Sequence, residues 1–257
     1  MKILVKIGGS LLDCAASRAR LAKEIAALSE RHSIVVVHGG GKQMTRFLAE
    51  RGIESRFING LRVTTDEVLD AVMKIFAGSV NAGLVSELRA AGASPVGLSG
   101  LDAGLVDAEP LDPALGHVGR PVRSDARLLD VLIGSHYLPV VACVAGDARG
   151  RRYNVNGDQM AVACAAGWQA ETLIFLTDVE GVRDRAGQIR RTLTVQDARE
   201  LLRDGIASGG MYAKLESAIS GLNQGVSEIQ IGSGAVEGIL EKLIGKDQYG
   251  TRMVSEK

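Results

Sequence analysis

Residues 38–42 read His-Gly-Gly-Gly-Lys and stand directly after the β-branched run of residues 34–37. Three adjacent glycines carry no Cβ, so a ligand can approach their main-chain N–H groups closely. Met44, Phe47 and Leu48 follow at helical spacing, and the N-terminus of such a helix adds partial positive charge. Strand, glycine turn and helix in that order predict an anion site, with phosphate as the chemistry those donors suit. Gly8 and Gly9 make a second turn of this kind, after the apolar strand of residues 3–7. Two parallel strands would bring both turns to one sheet edge, where α/β folds hold their ligands.

The elements that must position these turns alternate along the chain. Asp13 is expected to begin a helix through Leu21, Ile25 and Leu28, leading back to the second strand as a right-handed βαβ crossover. Residues 53–63 are irregular and read as a hairpin or loop. Thr64 with Glu67 fits a capping box for the longest helix, whose apolar face runs from Leu69 through Val72, Phe76, Val80 and Leu84 to Leu88 before Gly92 ends it. Residues 105–127 lack periodicity and read as a hairpin-rich insertion at the mouth of a site. Further strands are expected at residues 95–98, 138–142, 173–176 and around Ile229, with a closing strand at Met253. Small-residue and amphipathic helices separate them, at residues 159–166, from Thr194 to near Gly205, from Met211 to Leu222 and around Leu240. The pattern predicts an α/β fold in one or two closely joined lobes, with a soft boundary near Ala170.

Composition narrows the function. Lys plus Arg and Asp plus Glu both total 30, and aromatic residues make up 4%, so neither net charge nor stacking surface suggests nucleic acid. Cys14, Cys143 and Cys164 are widely spaced without CxxC and read as free thiols. No signal-like segment and no apolar run near membrane length stands out, which predicts a cytoplasmic protein without membrane partners.

The ordered set VKIGGS, VVVHGGGKQ, NGLRVT, VGLSGLD, GHVG, YNVNGDQ, LTDVEGV and GGMYAK spans essentially the whole chain. In that order it resembles the acetylglutamate kinases of the amino-acid kinase superfamily. The resemblance implies a three-layer αβα sandwich with a mainly parallel central sheet. It also implies ATP as substrate, magnesium bound mainly through ATP, and phosphorylation of the side-chain carboxylate of N-acetylglutamate in bacterial arginine synthesis. By similarity, Lys6 and Lys214 contact the phosphates and the transferring group, and Asp158 holds both lysines. Gly40 and Gly41 offer main-chain donors, Arg62 grips the acceptor α-carboxylate, and Asn154 binds near it and the acetamido N–H. Gly8, Gly9, Ser10, Thr177, Asp178, Gly181, Gly209, Gly210 and Met211 match the nucleotide side. Residues 1–170 would form the acceptor and dimerisation lobe, and residues 171–257 the nucleotide lobe.

Several of these residues also have plainer readings. Asp158 can cap a helix, Arg62 and Lys214 can be solvated charges, His38 suits a structural role better than that of a base, and Asp102 can cap a turn. Arg183, Arg185, Arg190 and Arg191 read as a solvated hairpin. Leu101 and Gly157 replace the lysine and alanine of many acetylglutamate kinases and approach relatives that act on aminoadipate or glutamate linked to a carrier protein. GHVG and NVN point back to the free acetylated amino acid. A nucleotide-binding sensor without catalysis is the rival of another class. The long helix is expected to form a homodimer, and a first strand starting at Ile3 leaves no N-terminal helix of the kind that links arginine-inhibited hexamers.

Overall fold

The computed structural model describes residues 1–245 and 249–255. The chain opens with β1 (Lys2–Ile7), α1 (Gly9–Asp13), α2 (Ala15–Ser29), β2 (Ser33–His38) and α3 (Gly41–Ala49). A small hairpin, β3 (Phe57–Ile58) and β4 (Leu61–Arg62), precedes one continuous helix made of α4 (Asp66–Val72), a π-helical turn Met73–Val80 and α5 (Asn81–Ala90). Next come β5 (Pro95–Ser99), β6 (Val106–Pro110), β7 (Val118–Ser124), α6 (Arg127–Gly134), β8 (Leu138–Ala142), β9 (Val144–Gly146), β10 (Arg152–Val155) and α7 (Gly157–Gly167). The last part holds β11 (Thr172–Thr177), β12 (Thr192–Thr194), α8 (Val195–Arg203), α9 (Gly209–Asn223), β13 (Glu228–Ser233), α10 (Ile239–Ile244) and β14 (Thr251–Val254).

Eight strands form the central sheet in the order β12-β14-β13-β11-β1-β2-β8-β5. All pairs are parallel except β13 with β14. The central strands are buried on both sides, which is why they read as continuous apolar runs. On one face Ile3, Val5, Ile7, Val36 and Ile174 pack with Leu21, Leu84 and Leu240 of α2, α5 and α10. On the other, Leu4, Val35, Leu173 and Phe175 share a core with Met160 of α7 and Leu215 of α9. This is the expected three-layer αβα sandwich. Because the strand order runs outward from β1 and β11 in opposite directions, the crevice at their C-terminal ends is a topological switch point.

The irregular stretches are ordered by partners distant in sequence. Residues 53–63 hold the β3–β4 hairpin. Strands β6 and β7 pair antiparallel and close with β9 and β10 into a small barrel, so the insertion is a built unit beside the site. Three local expectations are corrected. Asp13 ends α1 instead of opening a helix, because the turn after β1 is itself helical from Gly9. The cap of the long helix is Thr65, whose side chain accepts from Val68 N at 3.3 Å, not Thr64, which tertiary bonds draw away. Residues 66–90 are also long and apolar enough in composition to cross a membrane, contrary to the reading of the sequence; Val68, Val72, Phe76, Leu84 and Leu88 are nevertheless buried in the core. By contrast, Thr194 and Asp197 form the expected reciprocal capping box on α8.

Gly116 marks where the barrel meets the segment before the long helix. Its φ is +65°, and a Cβ there would lie 2.3 Å from Thr64 O. Gly116→Ala combines left-handed strain with a backbone clash, and it should lower the unfolding free energy by about 2 kcal/mol or more. Urea denaturation checks this; an unchanged midpoint would show that the contact is not rigid.

Candidate active site

Strand alternation decides which face each β1 side chain meets. Ile3, Val5 and Ile7 enter the core under α2 and α10, so Leu4 and Lys6 point to the face covered by α7 and α9. Lys6 Nζ lies 2.9 Å from Asp158 Oδ1 in the first turn of α7, and Lys214 Nζ of α9 lies 3.0 Å from Asp158 Oδ2. One carboxylate therefore joins two ammonium groups from opposite ends of the chain. Asp158 and Lys214 are buried, and apart from the ionic contact Asp158 Oδ1 has no hydrogen-bond partner. Asn156 caps α7, accepting from Asp158 N at 2.9 Å and Gln159 N at 3.3 Å. That task is what leaves the Asp158 side chain free for the lysines.

The electrostatics follow from burial and charge. Burial alone would raise the Asp158 pKa, but Lys6 and Lys214 outweigh it and bring it down to about 2. Burial lowers the Lys214 pKa, opposed by Asp158. The Lys214 ammonium also sits 4.9 Å from the Phe175 ring centroid, which favours the cation. With both lysines charged, the group carries one surplus positive charge in a low-dielectric setting, a strong attractor for an anion.

Both glycine turns reach the same edge. A Cβ on Gly9 would lie 3.3 Å from Gly41 N, so the N-termini of α1 and α3 face each other across bare backbone. Met44 N bonds Gly40 O at 2.8 Å, while the N–H groups of the first turn of α3 have no intrahelical acceptor. Gly8 N donates to Leu176 O at 3.1 Å, which places Gly8 beside Thr177 at the end of β11, with Ser10 two residues on in the first turn of α1. Asp178 is exposed and raises the Lys214 pKa. Gly209, Gly210 and Met211 form the first turn of α9, ahead of Lys214, with both glycines open to solvent. Gly181 lies differently: it is buried, where a Cβ would meet Thr251 Oγ1 at 2.7 Å.

Arg62 extends the site on the other side. It is buried, and its guanidinium donates to Gly41 O at 3.2 Å, to Thr45 Oγ1 at 2.8 Å and to Ser55 Oγ, with Phe57 stacked at 4.7 Å. Asn154 joins it through Thr64: Asn154 Nδ2 donates to Thr64 Oγ1 at 3.0 Å, and Thr64 Oγ1 donates to Arg62 O at 2.9 Å. Thr45, Ser55, Thr64, Asn156 and Phe175 are thus part of the site without having been singled out as such in the sequence. Of these Asn156 and Thr64 had a local signal, that of a capping residue before a helix, and only Asn156 performs that task.

The plainer readings hold for several neighbours. His38 is fully buried, with Nδ1 2.8 Å from Gly39 O and Nε2 facing Asn81 Nδ2 at 2.9 Å. Burial brings its pKa down to about 4, so it is a neutral structural residue. Asp102 accepts from Ser99 N and Oγ and secures a turn. The four arginines separate into individual contacts: Arg183 with Glu180, Arg185 with Asp204, Arg190 with Asp197, and Arg191 with Gly250 O. Leu101 packs against the core, and alanine at Gly157 would put its Cβ 3.3 Å from Lys6 Cε. A cleft of about 670 Å³ runs between α7, α9, β7 and the β3–β4 hairpin, lined by Asn156, Gln159 and Ser217 but not by Lys6, Arg62, Asp158 or Lys214. It flanks the charged group without containing it.

An αβα sandwich with two glycine turns at one sheet edge and two lysines held on one carboxylate has the parts of a phosphoryl-transfer class of protein. Residues 1–233 match the amino acid kinase family, and the chain belongs to that family. The acetylglutamate kinase of Solibacter usitatus (strain Ellin6076) is 56% identical over 256 residues, covering 99% of this chain and 100% of that protein. The acetylglutamate kinase of Geobacillus kaustophilus (strain HTA426) is 40% identical over 233 residues, 90% of either chain. Among solved structures, N-acetylglutamate synthase from Neisseria gonorrhoeae, complexed with coenzyme A and N-acetyl-glutamate, superposes with a TM-score of 0.88 at 26% identity; the match covers 99% of this chain and 59% of the synthase chain.

Two buried groups contribute to the acid sensitivity of the fold. The His38 pKa of about 4 lies below its ordinary 6.5, so as pH falls from about 6.5 to about 4 the unfolded chain gains a proton that the folded one refuses, and stability drops by roughly 3 kcal/mol. The Asp158 contribution is present above its ordinary pKa of 3.8 and is lost only as pH falls from there toward about 2. Urea denaturation of wild type and His38→Gln between pH 7 and 4.5 should show a shallower slope in the variant; equal slopes would contradict the assignment.

Proposed function

We infer that this chain is an acetylglutamate kinase, transferring the γ-phosphoryl group of ATP to the side-chain carboxylate of N-acetyl-L-glutamate, a step of amino-acid biosynthesis. The observation that carries this reading is the Lys6–Asp158–Lys214 group at the meeting point of two glycine turns, in a chain that aligns from end to end with an acetylglutamate kinase. A sensor that had given up chemistry would have no use for two lysines buried on one carboxylate, since such ion pairs add little net stability.

The acceptor carboxylate is ionised near neutral pH, so its oxygen attacks the γ-phosphorus directly while the bond to the ADP oxygen breaks. No proton has to move. What the reaction needs is neutralisation of anions forced together and a fixed line of approach. Lys6 and Lys214 supply the positive charge, and Asp158 orients both. Having both oxygens committed, Asp158 is a poor metal ligand, which suits magnesium arriving on the ATP oxygens with its water. Gly40 and Gly41 support the transferring group from the acceptor side, where Arg62 pairs with the α-carboxylate and Asn154 meets the acetamido group. Gly8, Gly9, Ser10, Thr177, Asp178 and the turn Gly209, Gly210 and Met211 hold the nucleotide; Gly181 supports that wall from within. In this reading residues 1–170 carry the acceptor and residues 171–257 the nucleotide. The exposed small residues of the long helix, Ser79, Ala82, Gly83 and Ser86, permit close approach of a second copy, so we place the enzyme in the cytoplasm as a homodimer.

Incubation with ATP, magnesium and N-acetylglutamate should give an acyl phosphate that hydroxylamine traps as the hydroxamate. Lys214→Ala should lower kcat by about a hundredfold or more while changing ATP affinity severalfold at most. Absence of trapped product in the wild type would overturn the assignment, and equal losses in kcat and ATP affinity would overturn the role of Lys214.

A further inference from the structure

Thr64 stands where three of the sequence motifs meet. It is fully buried, and its main chain is tied on both sides to the segment containing Gly116: Thr64 N donates to Leu115 O at 2.9 Å and His117 N donates to Thr64 O at 2.7 Å. Asn154 N in turn donates to His117 O at 2.9 Å. GHVG therefore acts as the brace that sets Thr64 and Asn154 side by side.

The side-chain bonds at Thr64 have only one consistent direction. A hydroxyl has one hydrogen and two acceptor lone pairs. Arg62 O can only accept, so the Thr64 hydrogen goes there, at 2.9 Å. The neighbour of Asn154 is then a lone pair, and the only end of the amide that can meet it is the NH₂, at 3.0 Å. Asn154 Oδ1 consequently points away from Thr64, and among the described residues it accepts no hydrogen bond.

We propose that Thr64 is a specificity-determining positioning residue: by holding the NH₂ of Asn154 it presents Oδ1 to the acceptor, so that the site selects a substrate whose nitrogen carries a hydrogen to donate. This rests on the functional reading above, in which Asn154 meets the acetamido group. The chemical class selected is a secondary amide on the α-carbon of an acidic amino acid. The ester isostere, in which oxygen replaces that N–H, sets a lone pair against Oδ1. A site built to receive a hydrogen bond discriminates strongly against a ligand that cannot make it, because a desolvated polar group is left unpaired.

The test compares kcat/KM for N-acetylglutamate with that for 2-acetoxyglutarate, its ester isostere. The wild type should prefer the amide by about a hundredfold or more. Thr64→Val frees the Asn154 amide to rotate and offer its NH₂ to the ester oxygen, and the preference should shrink by at least about tenfold, with KM for ATP unchanged. Thr64→Ser keeps the hydroxyl and should retain the wild-type ratio. Thr64→Ala, which adds no methyl against polar partners, carries the same expectation as the valine variant should that chain fail to fold. An active, folded Thr64→Val or Thr64→Ala with the wild-type ratio overturns this proposal and leaves the kinase reading standing. A wild type that turns over neither compound overturns both.

Discussion

A single carboxylate with an ammonium on each oxygen governs this molecule. Burial pushes the Asp158 pKa up and the two lysines pull it down, while burial pushes the Lys214 pKa down and Asp158 opposes that; each charge is supported by its neighbours. Such a group is a poor device for stability, because removing three charges from water offsets most of the attraction among them, and apolar packing of the same volume would serve as well. Its odd charge count sharpens the point. One positive charge is left over, and only an arriving anion completes the balance.

The rest of the fold can be read as the means of assembling that group. Alternation along β1 sends Lys6 to the face of α7 and α9, while Asn156 takes the capping task at the start of α7. The parallel order around β1 and β11 brings the ends of four strands to one edge, so the backbone donors of α1 and α3 open beside the lysines. On the acceptor side the positions are set by a chain of bonds and not by a helix or strand alone: His117, Asn154, Thr64 and Arg62 are linked in sequence, and Arg62 returns to the glycine turn through Gly41 O. Anion donors, surplus charge and a guanidinium thus belong to one connected framework.

Much of this was legible in the residues themselves, and the exceptions have physical reasons. The strands before both glycine turns and the cap on α8 are local patterns, and local patterns are what a sequence displays directly. The pairing of Lys6 with Asp158 and Lys214 is a contact between distant segments, which periodicity cannot reveal; only the ordered resemblance to a known family pointed to it. Thr64 looked like a capping residue because it precedes a helix with the acidic third neighbour Glu67; Thr65, whose third neighbour is Val68, caps the helix instead, because bonds from Asn154 and the 115–117 segment took Thr64 for another task. The barrel was opaque for a related reason: its strands are three to seven residues long, and the alternation in Val-Asp-Ala-Glu and Arg-Tyr-Asn-Val is too short to show which distant strands they join.

Steady-state kinetics of Asp158→Asn is the most direct measure of the central claim. The asparagine has nearly the same shape but no charge and only one acceptor oxygen, so one ammonium faces an NH₂ and no anion stands between the two lysines. The account predicts a fall in kcat of about a hundredfold or more with N-acetylglutamate, with the far-UV circular dichroism spectrum of the folded enzyme retained. A folded Asp158→Asn enzyme turning over at the wild-type rate would contradict it.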